Sequence, residues 1–159
     1  KTVSISGVHA KYRGGERIGT ANLDLATEES AGTSKFFFLA GPLLDCLREG
    51  RVAIVDELDA RLHPHLTREI VRLFNSAETN PHNAQLLFCT HDTNLLTKNL
   101  FRRDQIWFVE KDKQGATALY SLADIKVRND AAFERNYLRG RYGAVPILAD
   151  FAEPVKGGG

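Results

Sequence analysis

A chain of 159 residues, 43% apolar and 26% charged, has the length and the make-up of one soluble globular domain with a real core. Its formal net charge of +1 gives no overall argument for binding nucleic acid or a membrane surface, and no run approaches the ~20 apolar residues of a transmembrane helix. No charged-then-apolar leader suggests export. Both cysteines, Cys46 and Cys89, sit in apolar runs and read as buried free thiols in a reducing cytoplasm.

Two alternating stretches open the chain, Val3 to Val8 and Arg17 to Leu25, with a turn at Arg13-Gly-Gly15 between them. They predict a hairpin within residues 1–29. From Ser34 the pattern becomes helical, with Phe37, Phe38, Leu39, Leu43, Leu44 and Leu47 supplying a broad apolar face. Gly41-Pro42 should kink or restart that helix, and Gly50 should cap its end. Val52 to Val55 read as a buried strand. A loop runs on to His63, and Pro64 suits a first helical turn. Leu66, Ile70, Leu73, Phe74 and Ala77 then recur at helical spacing up to Asn80-Pro81. A second strand, Gln85 to Cys89, precedes a short helix from about Thr93 to Lys98. Gln105 to Glu110 and Ala118 to Ser121 predict a hairpin around Lys113-Gln-Gly115. Residues 131–139 read as a helix with Asp130 as its N-cap. The terminal Gly157-Gly-Gly159 reads as a linker or frayed end. Alternating strands and helices argue for an α/β layer structure with mainly parallel core strands.

Chemistry concentrates at the ends of the two apolar strands. Asp56 and Glu57 follow Val55, where the first should stop, and Thr90-His91-Asp92 follow the second. In open α/β sheets, ligands sit outside the carboxyl ends of the strands. An acid pair there can hold Mg²⁺ with one member and polarise a water with the other, as nucleoside triphosphate hydrolysis requires. Upstream, Ser30-Ala31-Gly32-Thr33 combine hydroxyls, a small residue and a glycine just before a helix, where exposed backbone N–H groups attract a phosphate. A plain helix cap is the alternative use of the same residues.

Taken in order, these motifs resemble the C-terminal lobe of an ABC-type ATPase head. That class includes the SMC-like ATPases and the related AAA-family ATPases of bacterial abortive-infection (antiviral) operons. The resemblance implies a P-loop-NTPase-like layered sheet with helices, lacking its Walker A half. Ser30, Ala31, Gly32 and Thr33 stand for the signature motif, with Thr33 in place of the second glycine of the common Ser-Gly-Gly form, as in the antiviral type. Val52 to Glu57 stand for Walker B, Leu58-Asp59 for the D-loop and His91 for the switch histidine. The resemblance then assigns Asp56 to Mg²⁺, Glu57 to the attacking water, His91 to the γ-phosphate, and Asp59 to the nucleotide site across a dimer interface. Tyr137-Leu-Arg-Gly-Arg-Tyr-Gly-Ala-Val-Pro146 also looks like the tail of the antiviral type, so the likeness covers most of the chain, read as one lobe: hairpin 1–29, motif core 30–100, and hairpin and tail 101–159.

One element of that pattern is missing. No Gly-x-x-x-x-Gly-Lys-Ser/Thr occurs; Gly15 to Thr20 lacks the lysine, and Gly32-Thr-Ser-Lys35 has the wrong order. A P-loop supplies the backbone cradle for the phosphates. The chain starts at Lys1 and contains no methionine. The expectation is therefore part of a longer protein that binds ATP and Mg²⁺ with a partner, either an N-terminal lobe carrying the P-loop or a second ATPase head in a homodimer.

Other readings weigh less. A nucleotide-gated scaffold with little turnover would not need Glu57. A metal-dependent nuclease could use Asp56, Glu57, Asp59 and His91, but further acidic clusters are lacking. His63, His65, Cys89 and His91 are zinc ligand types without zinc spacing. Arg102, Arg103, Lys111, Lys113, Arg128, Arg135, Arg139 and Arg141 make the C-terminal third basic. They read as solvated faces, with a patch for nucleic acid or an effector protein as the alternative; Trp107, Tyr137 and Tyr142 could stack on bases or pack in a core.

Overall fold

The computed structural model describes residues 4–112, 114–126 and 132–145 of a mixed α/β chain. It falls into two compact units, Lys1–Asp92 and Thr93–Gly159.

The first unit opens with an antiparallel hairpin of β1 (Ser6–Arg13) and β2 (Glu16–Asp24), in register from Ser6 opposite Asp24 to Arg13 opposite Glu16, with an irregularity between Lys11 and Tyr12. Gly14 and Gly15 make the connection at φ 57° and 88°, the left-handed pair that matches the twist of a two-residue hairpin. β1 runs five residues past the stretch expected from alternation. The alternation does run on weakly through Ala10 and Tyr12, but that part of the ribbon is exposed on both faces, so no buried apolar face marks it. The expected strand start at Val3 lies outside the described residues.

α1 spans Ala31–Glu49 as one uninterrupted helix, with Pro42 inside it. Of the expected kink or restart at Gly41-Pro42, the restart does not occur. A proline clashes with the Cβ of the residue before it, and Gly41 has none. The helix stops at Gly50, φ 65°, whose N–H bonds the Cys46 carbonyl. β3 (Val52–Val55) and β4 (Gln85–Phe88) pair in parallel, Val52 opposite Gln85 through Val55 opposite Phe88. α2 (Pro64–Asn75) connects them, with Pro64 in its first turn. It buries Thr67, Ile70, Val71 and Phe74, while Leu66 and Leu73 stay partly exposed. Ile70 and Phe74 of the expected face are buried, and packing turns the helix so that Thr67 and Val71 join them in place of Leu66 and Leu73.

Cover of this unit is incomplete. Of the expected α1 face only Leu43 and Leu47 are buried; Phe37, Phe38 and Leu44 are exposed. On the parallel pair, Ala53 is buried, whereas Val52, Ile54 and Leu87 are open to solvent, Ile54 at 76%. Cys89 continues the Leu87 face and is also exposed, and Cys46 is half-buried. The expectation of two buried thiols is corrected accordingly.

The second unit begins with 3₁₀ turns at Thr93–Leu95 and Arg103–Gln105. The first replaces the expected helix to Lys98, because the Thr97 N–H turns back to the Leu95 carbonyl and closes the turn. β5 (Trp107–Lys111) and β6 (Thr117–Ser121) form an antiparallel hairpin, followed by a 3₁₀ turn at Leu122–Asp124 and the short α3 (Phe133–Leu138). Ile106, Phe108, Leu122, Phe133 and Tyr142 make its core. The expected cap Asp130, and Lys113, Arg128, Pro146 and Gly157 to Gly159, lie outside the described residues.

Candidate functional site

The parallel register decides what meets at the sheet edge. Val55 and Phe88 are the last paired residues, and the ladder runs on through Cys89 N–H to the Val55 carbonyl (3.2 Å) and Leu58 N–H to the Cys89 carbonyl (3.1 Å). Leu58 is wholly buried and anchors the loop from below. The residues between the ladder and that anchor, Asp56 and Glu57, are left facing solvent. β4 leaves the same end as Thr90 and His91, with His91 exposed and the Thr90 hydroxyl accepting the Asp92 N–H at 3.0 Å. Two carboxylates and an imidazole therefore share one carboxyl edge of a parallel pair, the place where α/β sheets hold ligands.

The loop after Asp56 is built from two tight turns. The Ala60 N–H bonds the Glu57 carbonyl (3.1 Å) and the Leu62 N–H bonds the Asp59 carbonyl (3.0 Å). Glu57 at φ 47° and Arg61 at φ 63° both sit in the left-handed region. Such strain in non-glycine residues persists only where surrounding structure holds it, and it gathers at functional sites. Asp59 keeps one carboxylate oxygen, Oδ1, buried without a hydrogen-bond partner. A buried acceptor left unmatched costs about 1–3 kcal/mol, so this loop carries an unsatisfied carboxylate oxygen at a cost to stability.

The start of α1 faces this loop. Asp24 shapes the turn ahead of it, its Oδ1 accepting from the Ala26 N–H (3.0 Å), the Thr27 N–H (3.1 Å) and the Thr27 hydroxyl (3.0 Å). The Thr27 hydroxyl first, then that of Ser4, hold its carboxyl below the usual carboxylate range. Ser30 is the N-cap, its Oγ accepting the Thr33 N–H at 3.1 Å and lying 2.8 Å from the Thr33 hydroxyl. Ser30 is thus a helix cap by geometry, and its exposure leaves it available to a phosphate as well. Ala31 and Thr33 are exposed. Gly32 has a packing reason the sequence did not reveal: a Cβ there would stand 2.6 Å from the Arg61 carbonyl. Only glycine lets the helix start approach that loop so closely.

Lys35 is the member of the site that motif reasoning passed over. Its Nζ donates to the Glu57 carbonyl at 2.7 Å. It lies four residues after Ala31, on the same side of the helix, and that spacing was its only sequence signal. Lys35, Ser34, Glu29, Glu57 and Arg61 border an open cleft between helix start and loop. Glu29 in turn is paired with His9 of the hairpin.

Among the described residues, no three His, Cys, Asp or Glu side chains are grouped to hold a metal by themselves. Mg²⁺ carried on a triphosphate needs only one or two protein carboxylates beside water and phosphate oxygens. Asp56, exposed at the strand end, fits that smaller demand. His63 is committed otherwise, its Nδ1 accepting the His65 N–H (3.2 Å) and its ring stacked on that of His65.

In the second unit, part of the basic run is spent internally. Arg102 pairs with Asp104 through two nitrogens at 3.1 and 2.9 Å, and that bonding raises the guanidinium pKa and lowers the carboxyl's. Arg103 donates to the carbonyls of Leu122 (3.2 Å), Ala123 (3.3 Å) and Ile125 (2.5 Å). Lys111, Arg135, Arg139 and Arg141 are exposed or partly so. Tyr137 stacks on Phe108 at 5.6 Å, and Tyr142 is buried beside it, so both serve the core; Trp107 is exposed. No helix among the described residues is long and apolar enough to cross a membrane.

With this geometry in hand, comparison with known proteins gives one family. The family described as "AAA domain, putative AbiEii toxin, Type IV TA system" matches residues 13–97, just over half of the chain. The matched span takes in the helix start, the acid pair and His91. No curated protein and no solved structure matches.

Proposed function

Since the chain belongs to this AAA-domain ATPase family, we propose that it is the C-terminal lobe of an ABC/SMC-like ATPase head that binds and hydrolyses ATP with Mg²⁺ at a site shared with another lobe. The observation that carries this reading is the common edge. Asp56, Glu57 and His91 leave two parallel-paired strands at the same end, and the loop behind Glu57 is tied to the capped start of α1.

Each residue then has a task its chemistry allows. Asp56 supplies the carboxylate for Mg²⁺, which when bound neutralises phosphate charge. Glu57 orients the attacking water and accepts its proton. His91 donates a hydrogen bond to the terminal phosphate. Ser30, Ala31, Gly32 and Thr33 offer hydroxyl and backbone N–H donors to a phosphate brought by the second lobe, and Asp59 reaches across the same interface. The bare face of Val52, Ile54 and Leu87 supports a missing neighbour, because parallel strands are ordinarily covered on both faces. The family description names a toxin of a toxin–antitoxin system. On that ground the work driven by ATP is assigned to antiviral, abortive-infection defence in the cytoplasm, through an effector protein or nucleic acid as partner.

The test is Glu57→Gln in the full-length protein. The amide keeps shape and loses the base, so turnover should fall by about 100-fold or more while ATP binding survives. Turnover within about threefold of wild type, under ~1 kcal/mol of barrier, removes Glu57 from that role. ATP binding without measurable turnover in the wild type would leave the nucleotide-gated scaffold instead.

A further inference from the structure

We propose that Lys35 is a positioning residue that ties the phosphate-facing start of α1 to the backbone of Glu57, so that one lobe's contact with a nucleotide across the interface sets the placement of its own carboxylate. The proposal rests on the ATPase reading above.

The Lys35 ammonium donates to the Glu57 carbonyl at 2.7 Å, and the same oxygen accepts the Ala60 N–H at 3.1 Å. Two donors on one carbonyl fix the peptide plane that follows Glu57. That plane matters because Glu57 is held at φ 47°, a conformation that a non-glycine residue leaves unless it is restrained. The side chain's direction follows from that backbone. Without the ammonium that peptide would be held only by the Ala60 and Leu58 N–H bonds, and the carboxylate would leave its place at the strand end more readily. Lys35 itself is half-buried, which limits its alternatives in water.

A second contact joins the same two parts. Gly32 packs on the Arg61 carbonyl with no space for a Cβ, and Arg61 is also left-handed. The first turn of α1 is pinned from behind by the Ser34 hydroxyl, which donates to the Leu25 carbonyl at 2.6 Å and the Ser30 carbonyl at 3.2 Å. The helix start therefore cannot shift alone. Movement at Ser30 passes to residues 57–62 at two points, one hydrogen-bonded and one steric. In a head-to-head dimer Ser30 and Glu57 of one lobe would serve different nucleotides, so this tie would couple the two sites.

The experiment uses the full-length protein with Lys35→Met, which keeps the aliphatic stem and removes the donor, and Lys35→Arg, which restores a donor. Steady-state ATP hydrolysis is measured together with amide hydrogen exchange over residues 57–62 in the nucleotide-free state. We expect Lys35→Met to lower kcat at least tenfold with KM within twofold, to speed exchange in that segment, and to melt close to wild type. Lys35→Arg should recover kcat to within threefold of wild type. Unchanged exchange, a kcat within twofold of wild type, or a KM rising in step with the loss of kcat would overturn the proposal, the last by making Lys35 a phosphate contact. If the wild type and Glu57→Gln are equally inactive, the ATPase reading fails and takes the coupling with it. The exchange data then still report whether Lys35 holds the loop.

Discussion

The two units of this chain solve the burial problem differently. Thr93–Gly159 closes a core of its own, with Leu122 fully buried and Phe108 ringed by Tyr120, Tyr137 and Tyr142 at 5.6–5.7 Å. Lys1–Asp92 carries the acid pair, the histidine and the capped helix, yet leaves Ile54, Leu87 and the phenylalanines of α1 open to water. The elements of this unit leave one face of its two-stranded parallel sheet uncovered. Both units leave apolar strand residues bare, Val52, Ile54 and Leu87 in the first and Trp107, Val109 and Leu119 in the second, but only the first carries the acid pair and the histidine on the sheet so exposed. A bare face on a parallel pair is what is expected if the first unit is completed by further protein, since such strands are ordinarily covered on both sides.

Truncating the centre of the closed core should have the largest effect on stability. Phe108→Ala removes a buried aromatic ring touching three others, and should cost about 3–5 kcal/mol in chemical denaturation. A loss under about 1 kcal/mol would show that the second unit is no better packed than the first.

A smaller, pH-dependent effect tests the polar side of that core. Tyr120 donates to the Tyr142 carbonyl at 2.7 Å and to Glu110 at 3.0 Å. Burial first, then the bond to Glu110 and its charge, push the phenol pKa up to about 12 from 10.0. The folded form thus resists ionisation that the unfolded chain accepts. The contribution is complete below pH 10 and is lost as pH rises from 10 through about 12. Unfolding free energies of wild type and Tyr120→Phe from urea titrations should differ at pH 8 by about 1 kcal/mol for the lost hydrogen bonding. That gap should close as pH rises above 10, whereas a pH-independent gap would mean that ionisation of Tyr120 is not linked to folding.

The smallest effect is expected on the bare face. Ile54→Ala should change the stability of this chain by no more than about 0.5 kcal/mol, since the side chain is 76% exposed. In the full-length protein the same substitution should cost about 2–5 kcal/mol if another lobe covers that face. Equal, negligible effects in both would mean that the face is open to water by nature, and the contrast between the two units would lose its explanation.

Local signals in the sequence were legible because they act within a few residues. Pro64 in the first turn of α2, Gly50 at φ 65° after α1, the glycine turn of the first hairpin and the β-branched run before Asp56 all follow from neighbours close along the chain. Alternation of strand and helix sufficed to predict that β3 and β4 run in parallel, and hence that the acid pair and Thr90-His91 leave the sheet at one end. Amphipathic spacing found Ile70 and Phe74 of α2 but not Thr67 and Val71 beside them, nor did it show that Cys89 faces water, since both depend on what packs above. Pro42 did not end the helix as one reading expected; Gly41 before it spares one clash, that between the proline ring and a preceding Cβ.

What the tertiary structure alone decided is the tie between motifs. The Lys35–Glu57 bond spans 22 residues, and the Gly32–Arg61 contact is of similar reach. Neither leaves a periodic trace, because a long-range contact is set by how α1 and β3 lie against each other rather than by residue type. Sequence determined which carboxylates, hydroxyls and imidazole this protein carries and at which element ends they fall. Packing determined that the helix start and the Glu57 loop are held as one piece, because only the folded path of the chain brings an ammonium on one element to a strained carbonyl on another.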